Sequence, residues 1–321
     1  MRLRHFLIYT LLSTLTWAVA GGCRKDVEEF RPYPVTLDDI ALLLGRVPDA
    51  STSTVFTMSG AFADTTLRTA SGVRVLLSDS EALFEDEQGN PVPCSTCQAL
   101  QIEVTEALKK GDLLARRLAT TDEQQRIFKT AGAVRLNFLC DGKKLRIQKS
   151  RHIKVQIPAA DPQADWALFT HPDRDSTAWK NTGDAAYMAD WLTPGGALVQ
   201  GYELLVKETG WAGAGKDMAN GNGGSLCADL PPNLNPQNTV VFLVFKKSRT
   251  VIQLDSGASA EDFCSLQLPP GEPVRLVTVS KFGDSFWAAT LEDETGFSAS
   301  VKSLIPVVKS EQEVIDLLRG L

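Results

Sequence analysis

Turn residues punctuate this chain roughly every 8–12 positions, with short bursts of Val, Ile, Leu, Thr and Phe between them. Segments that short suit antiparallel strands better than helices. Gln101-Ile-Glu-Val-Thr-Glu106 alternates polar and apolar residues, as a strand with one wet face does. Ala133–Leu139 and Lys144–Ile147 flank Asp141-Gly142, a pair suited to a tight hairpin turn. Asp86-Glu-Gln-Gly-Asn-Pro91 is a second turn signal. Thr239-Val-Val-Phe-Leu-Val-Phe245 has no wet face, so it is expected at the centre of a sheet covered on both sides. Helices are expected only near the ends. Thr36 caps one over 36–44, and Ser310-Glu-Gln-Glu313 is a capping box opening the other, both lids on the β-core. The fold class read from this pattern is mainly β: two β-sandwich-like antiparallel domains with short N- and C-terminal helices. Residues 53–160 form the first domain and 161–321 the second.

The N-terminus carries a different signal. Met1-Arg-Leu-Arg-His5 is basic, Phe6–Ala20 is apolar, and Ala20-Gly-Gly22 are small. These are the parts of a secretory signal peptide, and the apolar run is too short to span a bilayer. Cys23 follows directly, and the stretch resembles the lipobox of bacterial lipoproteins, with Ala20 in place of the commoner leucine. An ordinary signal peptide followed by a cysteine has the same outline. The lipobox resemblance implies cleavage before Cys23, acylation of its thiol with chains such as palmitate, and retention in a membrane. Residues 23–52 then read as a tether and a short helix. Asp26, Glu28 and Glu29 resemble export signals of some outer-membrane lipoproteins. The expected location is therefore the cell envelope, lipid-anchored at the outer membrane and displayed at the surface.

A second resemblance covers residues 53–160. A strand ending near Leu77, Gly89-Asn-Pro-Val92, Ile102-Glu-Val104 and Lys110-Gly-Asp112 occur in that order. Ala131-Gly132, Asp141-Gly-Lys-Lys-Leu145 and a strand closing on Ile157-Pro158 follow. The order is similar to ZU5-like β-domains of bacterial surface lipoproteins, apart from the insertion Pro93-Cys-Ser-Thr-Cys97. Such domains are interaction modules, so the resemblance implies binding and transfers no active site.

Charge narrows the partners. Loss of residues 1–22 removes Arg2 and Arg4 and no acidic residue, which takes the net charge from −6 to −8. Nucleic acid needs a basic stripe, so no nucleic-acid partner is expected. The expected partners are the membrane, through lipid on Cys23, and an envelope protein or glycan. With Cys23 acylated, Cys94, Cys97, Cys140, Cys227 and Cys264 remain, an odd number that leaves one thiol free. By position the favoured pairs are Cys227–Cys264 and Cys97–Cys140, although sequence alone does not fix connectivity.

The remaining motifs are weak. Gly210-Trp-Ala-Gly-Ala-Gly-Lys-Asp217 approaches a phosphate-binding loop, but Asp217 replaces the hydroxyl that would hold magnesium. It reads as the start of a flexible loop reaching Gly224. Cys94-Ser-Thr-Cys97 lacks the helix N-terminus of a redox pair, and with Cys140 and His152 it has no compact zinc spacing. Asp217, Asn220 and Asn222 match no complete calcium loop. His152 reads as a strand-edge residue, His171 as part of a polar turn, and Glu292-Asp-Glu294 as a hairpin tip. Trp166, Trp179, Tyr187, Trp191, Tyr202 and Trp211 are expected in the core, with a binding platform as the alternative. Residues 272–306 also outline a small SH3-like barrel, if they fold separately. No catalytic residue, metal or cofactor is assigned. A non-enzymatic envelope module is expected, and the alternative is an envelope or glycan hydrolase using paired carboxylates.

Overall fold

Two curled sheets build the protein, one barrel-like and one a half-barrel, and the fold is mainly β. The computed structural model describes residues 36–58, 62, 64–79, 81–171, 178–218, 223–256 and 262–321. Cys23 and the segment before it lie outside the described residues. Val35–Leu321 form one compact unit.

The first sheet has twelve strands. They are β1 (Ser53–Met58), β2 (Thr65–Arg68), β3 (Arg74–Leu77), β4 (Phe84–Glu85), β5 (Leu100–Ala107) and β6 (Phe128–Cys140). β7 (Lys143–Ile147), β8 (Ile153–Pro158), β9 (Trp166–His171), β10 (Lys180–Leu192), β11 (Leu198–Val206) and β12 (Gly210–Asp217) complete it. The order is β1-β5-β6-β12-β9-β10-β11-β8-β3-β2, with β7 on the end of β6 and β4 on β7. Asp141 and Gly142 both take positive φ between β6 and β7, as the tight hairpin requires. β10 pairs β9 through Ala186 and β11 from Tyr187 onward, with a bulge between Asn181 and Ala185. A bulged strand of this kind turns a corner, and here it folds one half of the sheet over the other. Val75, Ile102, Leu136, Val155, Tyr202 and Leu204 fill the space enclosed. The expected boundary at residue 160 falls inside this sheet, because β8 pairs β11 and the strands continue to Asp217.

The stretch expected as a loop from Gly210 contains a central strand instead. β12 lies between β6 and β9. A Cβ on Gly213 would stand 2.7 Å from the Gly132 carbonyl oxygen, and one on Gly215 would stand 2.8 Å from the Phe169 ring. Glycine here answers close approach by neighbours rather than flexibility.

The second sheet holds β13 (Leu226–Asp229), β14 (Thr239–Phe245), β15 (Val251–Ser256) and β16 (Asp262–Cys264). β17 (Pro273–Phe282), β18 (Ser285–Glu294), β19 (Ser300–Ser303) and β20 (Val307–Lys309) complete the order β19-β13-β16-β15-β14-β17-β18-β20. All its pairs are antiparallel except β13 with β19. β19 and β20 sit at opposite ends of this order yet are joined through Leu304–Pro306, so one bent segment curls the sheet. Residues 272–306 therefore belong to a larger sheet that includes β14. β14 is central and covered on both faces, as its unbroken apolar run predicts. Val241, Leu243 and Phe245 face the half-barrel interior, and Phe242 and Val244 face the opposite way.

That opposite face meets α1 (Leu37–Leu44), α2 (Lys110–Ala115) and α3 (Glu311–Arg319). Ile40, Leu114 and Leu318 share one core with Phe128, Phe169 and Trp211 of the first sheet and Val277 of the second. The helices thus lie in a core common to both sheets. The capping box of α3 is formed: Glu313 N–H donates to Ser310 Oγ at 3.3 Å, and Ser310 N–H donates to Glu313 Oε2 at 2.7 Å. Thr36 does not cap α1; its hydroxyl donates to the Lys281 carbonyl at 2.7 Å. Lys110-Gly-Asp112 opens α2, a helix away from the two chain ends where helices are expected, with Asp112 accepting from Lys109 N–H at 3.2 Å.

Gly111 sets how closely α2 and α3 approach, since a Cβ there would lie 2.3 Å from the Leu318 carbonyl oxygen. Helix propensity alone makes Gly111→Ala stabilising by about 1 kcal/mol. We expect the contact to prevail and the variant to lose about 2 kcal/mol. The shift in the urea unfolding midpoint decides between the two signs.

Candidate binding cleft

The residues singled out by sequence are mostly committed to structure. Cys97–Cys140 and Cys227–Cys264 are disulfides, and Cys94 is a buried free thiol. Asn220 and Asn222 lie outside the described residues, while Asp217 pairs with Arg126 at 3.1 Å. Among the described residues no cluster of three or more His, Cys, Asp or Glu side chains could hold a metal. His152 is exposed, and His171 packs edge-on to Trp179 at 5.3 Å. Glu292 and Asp293 are not at a hairpin tip; they lie on β18, where Arg275 and Lys246 hold Glu292 and Lys302 holds Asp293. The β17–β18 turn falls at Gly283-Asp284 instead, where positive φ favours glycine.

Four of the six aromatics, Trp179, Trp191, Tyr202 and Trp211, are core residues. Trp166 stacks on Tyr202 at 4.9 Å, and Tyr187 is exposed. Trp191 differs from the other core aromatics because it also walls a surface cleft.

Strand register builds this cleft. Arg68 pairs Arg74 across β2–β3, Arg74 pairs Gln156, Gln156 pairs Glu203, and Glu203 pairs Tyr187. Directly paired side chains point to one face, so these five form a row across the outside of the sheet. One step toward the β10–β11 turn, a Cβ on Gly201 would lie 2.7 Å from the tip of the Trp191 indole. Glycine at 201 lets that ring fold down over the sheet. The result is a cavity of about 260 Å³ between the β2–β3 turn and the β10–β11 turn. Arg68, Thr69, Arg74, Trp191, Leu192 and Pro194 are among its walls.

The electrostatics of the cleft are unbalanced. Two arginines directly opposite each other repel. Burial, then Arg68, pulls the Arg74 guanidinium below its usual pKa, and Glu203 opposes them. Glu203 itself is engaged by Gln156 at 2.8 Å and Lys154 at 3.5 Å. Arg74 Nε and Gln156 Oε1 are buried without a hydrogen-bond partner. An anionic group in the cleft would meet two positive charges. Sequence reading missed this site because Arg68 and Arg74 join Trp191 only through the order β2-β3-β8-β11-β10. The local signal is an arginine on each side of one hairpin turn.

Behind the β2–β3 turn lies the nearest approach to a carboxylate pair. Glu106 Oε2 accepts from Ser71 Oγ at 2.5 Å, and Oε1 is buried without a partner. Burial, chiefly, pushes the Glu106 carboxyl above its usual range, with Asp112 adding to the effect. Burial likewise raises Asp112. Neither residue lines the cleft.

The raised pKa of Glu106 has a defined consequence for stability. The folded protein holds that proton more tightly than the unfolded chain, so its contribution is intact below the ordinary 4.5 and is lost as pH rises through the folded value. Glu106→Gln is expected to reduce the fall in unfolding free energy across that window, leaving the part due to Asp112. Chemical denaturation at several pH values reads the slope. A second expectation concerns Cys94, whose thiol burial pushes up to about 11, with Glu81 adding to the shift. Alkylation of the 24–321 chain at pH 8 should be very slow while folded. Unfolding without reductant should expose one reactive thiol per chain, by Ellman titration. No protein-family model, curated protein or solved structure matches this chain.

Proposed function

We propose that this chain is a lipid-anchored, non-enzymatic protein of the cell envelope that acts as a binding or structural module. In this reading acylated Cys23 holds it at the outer membrane, and residues 24–35 carry the folded unit toward the cell surface. The ZU5-like resemblance of residues 53–160 belongs to the same proposal and favours interaction over catalysis. One observation carries the reading. Among the described residues neither Arg68 nor Arg74 makes an ion pair or a side-chain hydrogen bond, although both line a cleft. Cations left uncompensated in a concave site are suited to recognising a ligand.

The test has two parts, one on the mature protein and one on the 24–321 chain. Mass spectrometry of the mature N-terminus should find acylated Cys23; an unmodified start elsewhere sinks the anchor. A pull-down of envelope proteins and glycans with the 24–321 chain should recover a component that is lost with Arg68→Gln and Arg74→Gln together. Capture indifferent to both arginines would remove the cleft from the proposal.

A further inference from the structure

We propose that the β10–β11 hairpin tip and the cleft beside it dock on a lipid surface, with a phosphate headgroup held between Arg68 and Arg74. The inference rests on the binding reading of this cleft and names its ligand.

The hairpin tip is unusual for this chain. Trp191–Tyr202 contains no charged residue, although 22% of the sequence is charged. Leu192 and Leu198 are direct cross-strand partners on the hairpin face opposite Trp191 and the arginine row, and they are 59% and 63% exposed, so the tip offers leucines on one side and the cleft on the other. Met188, on the same strand face as Leu192, is 56% exposed. Pro194 and Ala197 continue the uncharged surface around the turn. Proteins usually protect protruding strands with charge, and this one has none at its tip. An apolar tip beside basic side chains matches the two layers of a membrane interface. The leucines reach the acyl boundary while the guanidiniums remain at phosphate depth.

Other occupants fit less well. Leucine and methionine offer a sugar ring no aromatic face for stacking, Trp191 is only 6% exposed, and the exposed Tyr187 does not line the cavity. A cavity of about 260 Å³ suits a compact headgroup rather than an oligosaccharide. Asp190, between Met188 and Leu192, and Glu203, beside Arg74, are the acidic groups nearest the patch in the strand register. Glu203 is occupied by Lys154 and Gln156, as described above.

Flotation of the 24–321 chain with vesicles of phosphatidylethanolamine and phosphatidylglycerol tests the proposal, since the chain then lacks Cys23. The wild type should bind. Leu192→Ser with Leu198→Ser, both at exposed positions, should weaken partitioning by about tenfold or more. Arg68→Gln and Arg74→Gln should each weaken it by about fivefold and reduce its salt dependence. Circular dichroism confirms that the variants fold. Absence of wild-type binding, or binding indifferent to the leucine pair, would overturn the proposal. So would a dimer in sedimentation that Leu192→Ser dissolves, because a second copy would then occupy the patch. Inorganic phosphate and glycerol phosphate separate the sources of the anion. Saturation of the cleft by either, with no binding to vesicles, marks a free-phosphate site and refutes the membrane. If vesicle binding fails while arginine-dependent capture persists, the headgroup is wrong and the binding module stands; if both fail, both fall.

Discussion

Burial of β14 and β17 on two faces is the constraint on which this architecture depends. One face of each strand closes the half-barrel, and the other meets the helices and the first sheet. Fully burying a Val, Leu or Phe side chain contributes about 1.5–3 kcal/mol, so a strand apolar on both faces holds two cores together. Thr278, Ser280 and Thr239 are the buried polar residues on these strands. Thr239 and Ser280 hydrogen-bond each other at 2.8 Å, which keeps that end of the pair from carrying unmet hydroxyls.

The first sheet obeys a different constraint, that of space. β12 packs its glycines and alanines where Phe128 and Phe169 stack at 4.2 Å and where the Gly132 carbonyl presses on the strand. Small residues here are a packing solution, with large aromatic rings supplying the volume that β12 gives up. Gly201 applies the same logic at the surface, and the cleft exists because the Trp191 ring can descend over it. Packing and recognition therefore share one device in this sheet.

Local chemistry was legible in the sequence and long-range pairing was not. The Asp141-Gly142 turn, the two-sided burial of 239–245 and the Ser310–Glu313 capping box follow from short-range rules about φ, periodicity and unmet N–H groups. Thr36 looked like a cap, but the Lys281 carbonyl, more than 200 positions away, takes its hydroxyl. Gly210–Asp217 looked like a loop because glycine is read as freedom when its neighbours are unknown. Glu292–Glu294 looked like a solvated tip because the cations that hold Glu292 and Asp293 come from Lys246, Arg275 and Lys302. The cleft was hidden for the same reason, as it is a product of strand order. In each case the missing information was a partner distant along the chain.

The position of α1 gives the molecule an order of assembly. α1 is the first described helix, yet it packs on β14 and β17, and Thr36 N–H donates to the Gln237 carbonyl at 3.1 Å. The same core needs α3, which comes after the segment that bends the second sheet round. Contacts of such sequence separation form late, because the intervening loop must first be closed entropically. α1 therefore has no seat until β14 and β17 have been made. A chain interrupted before α3 would uncover the core that α1 shares with it, so damage near the C-terminus is felt at α1.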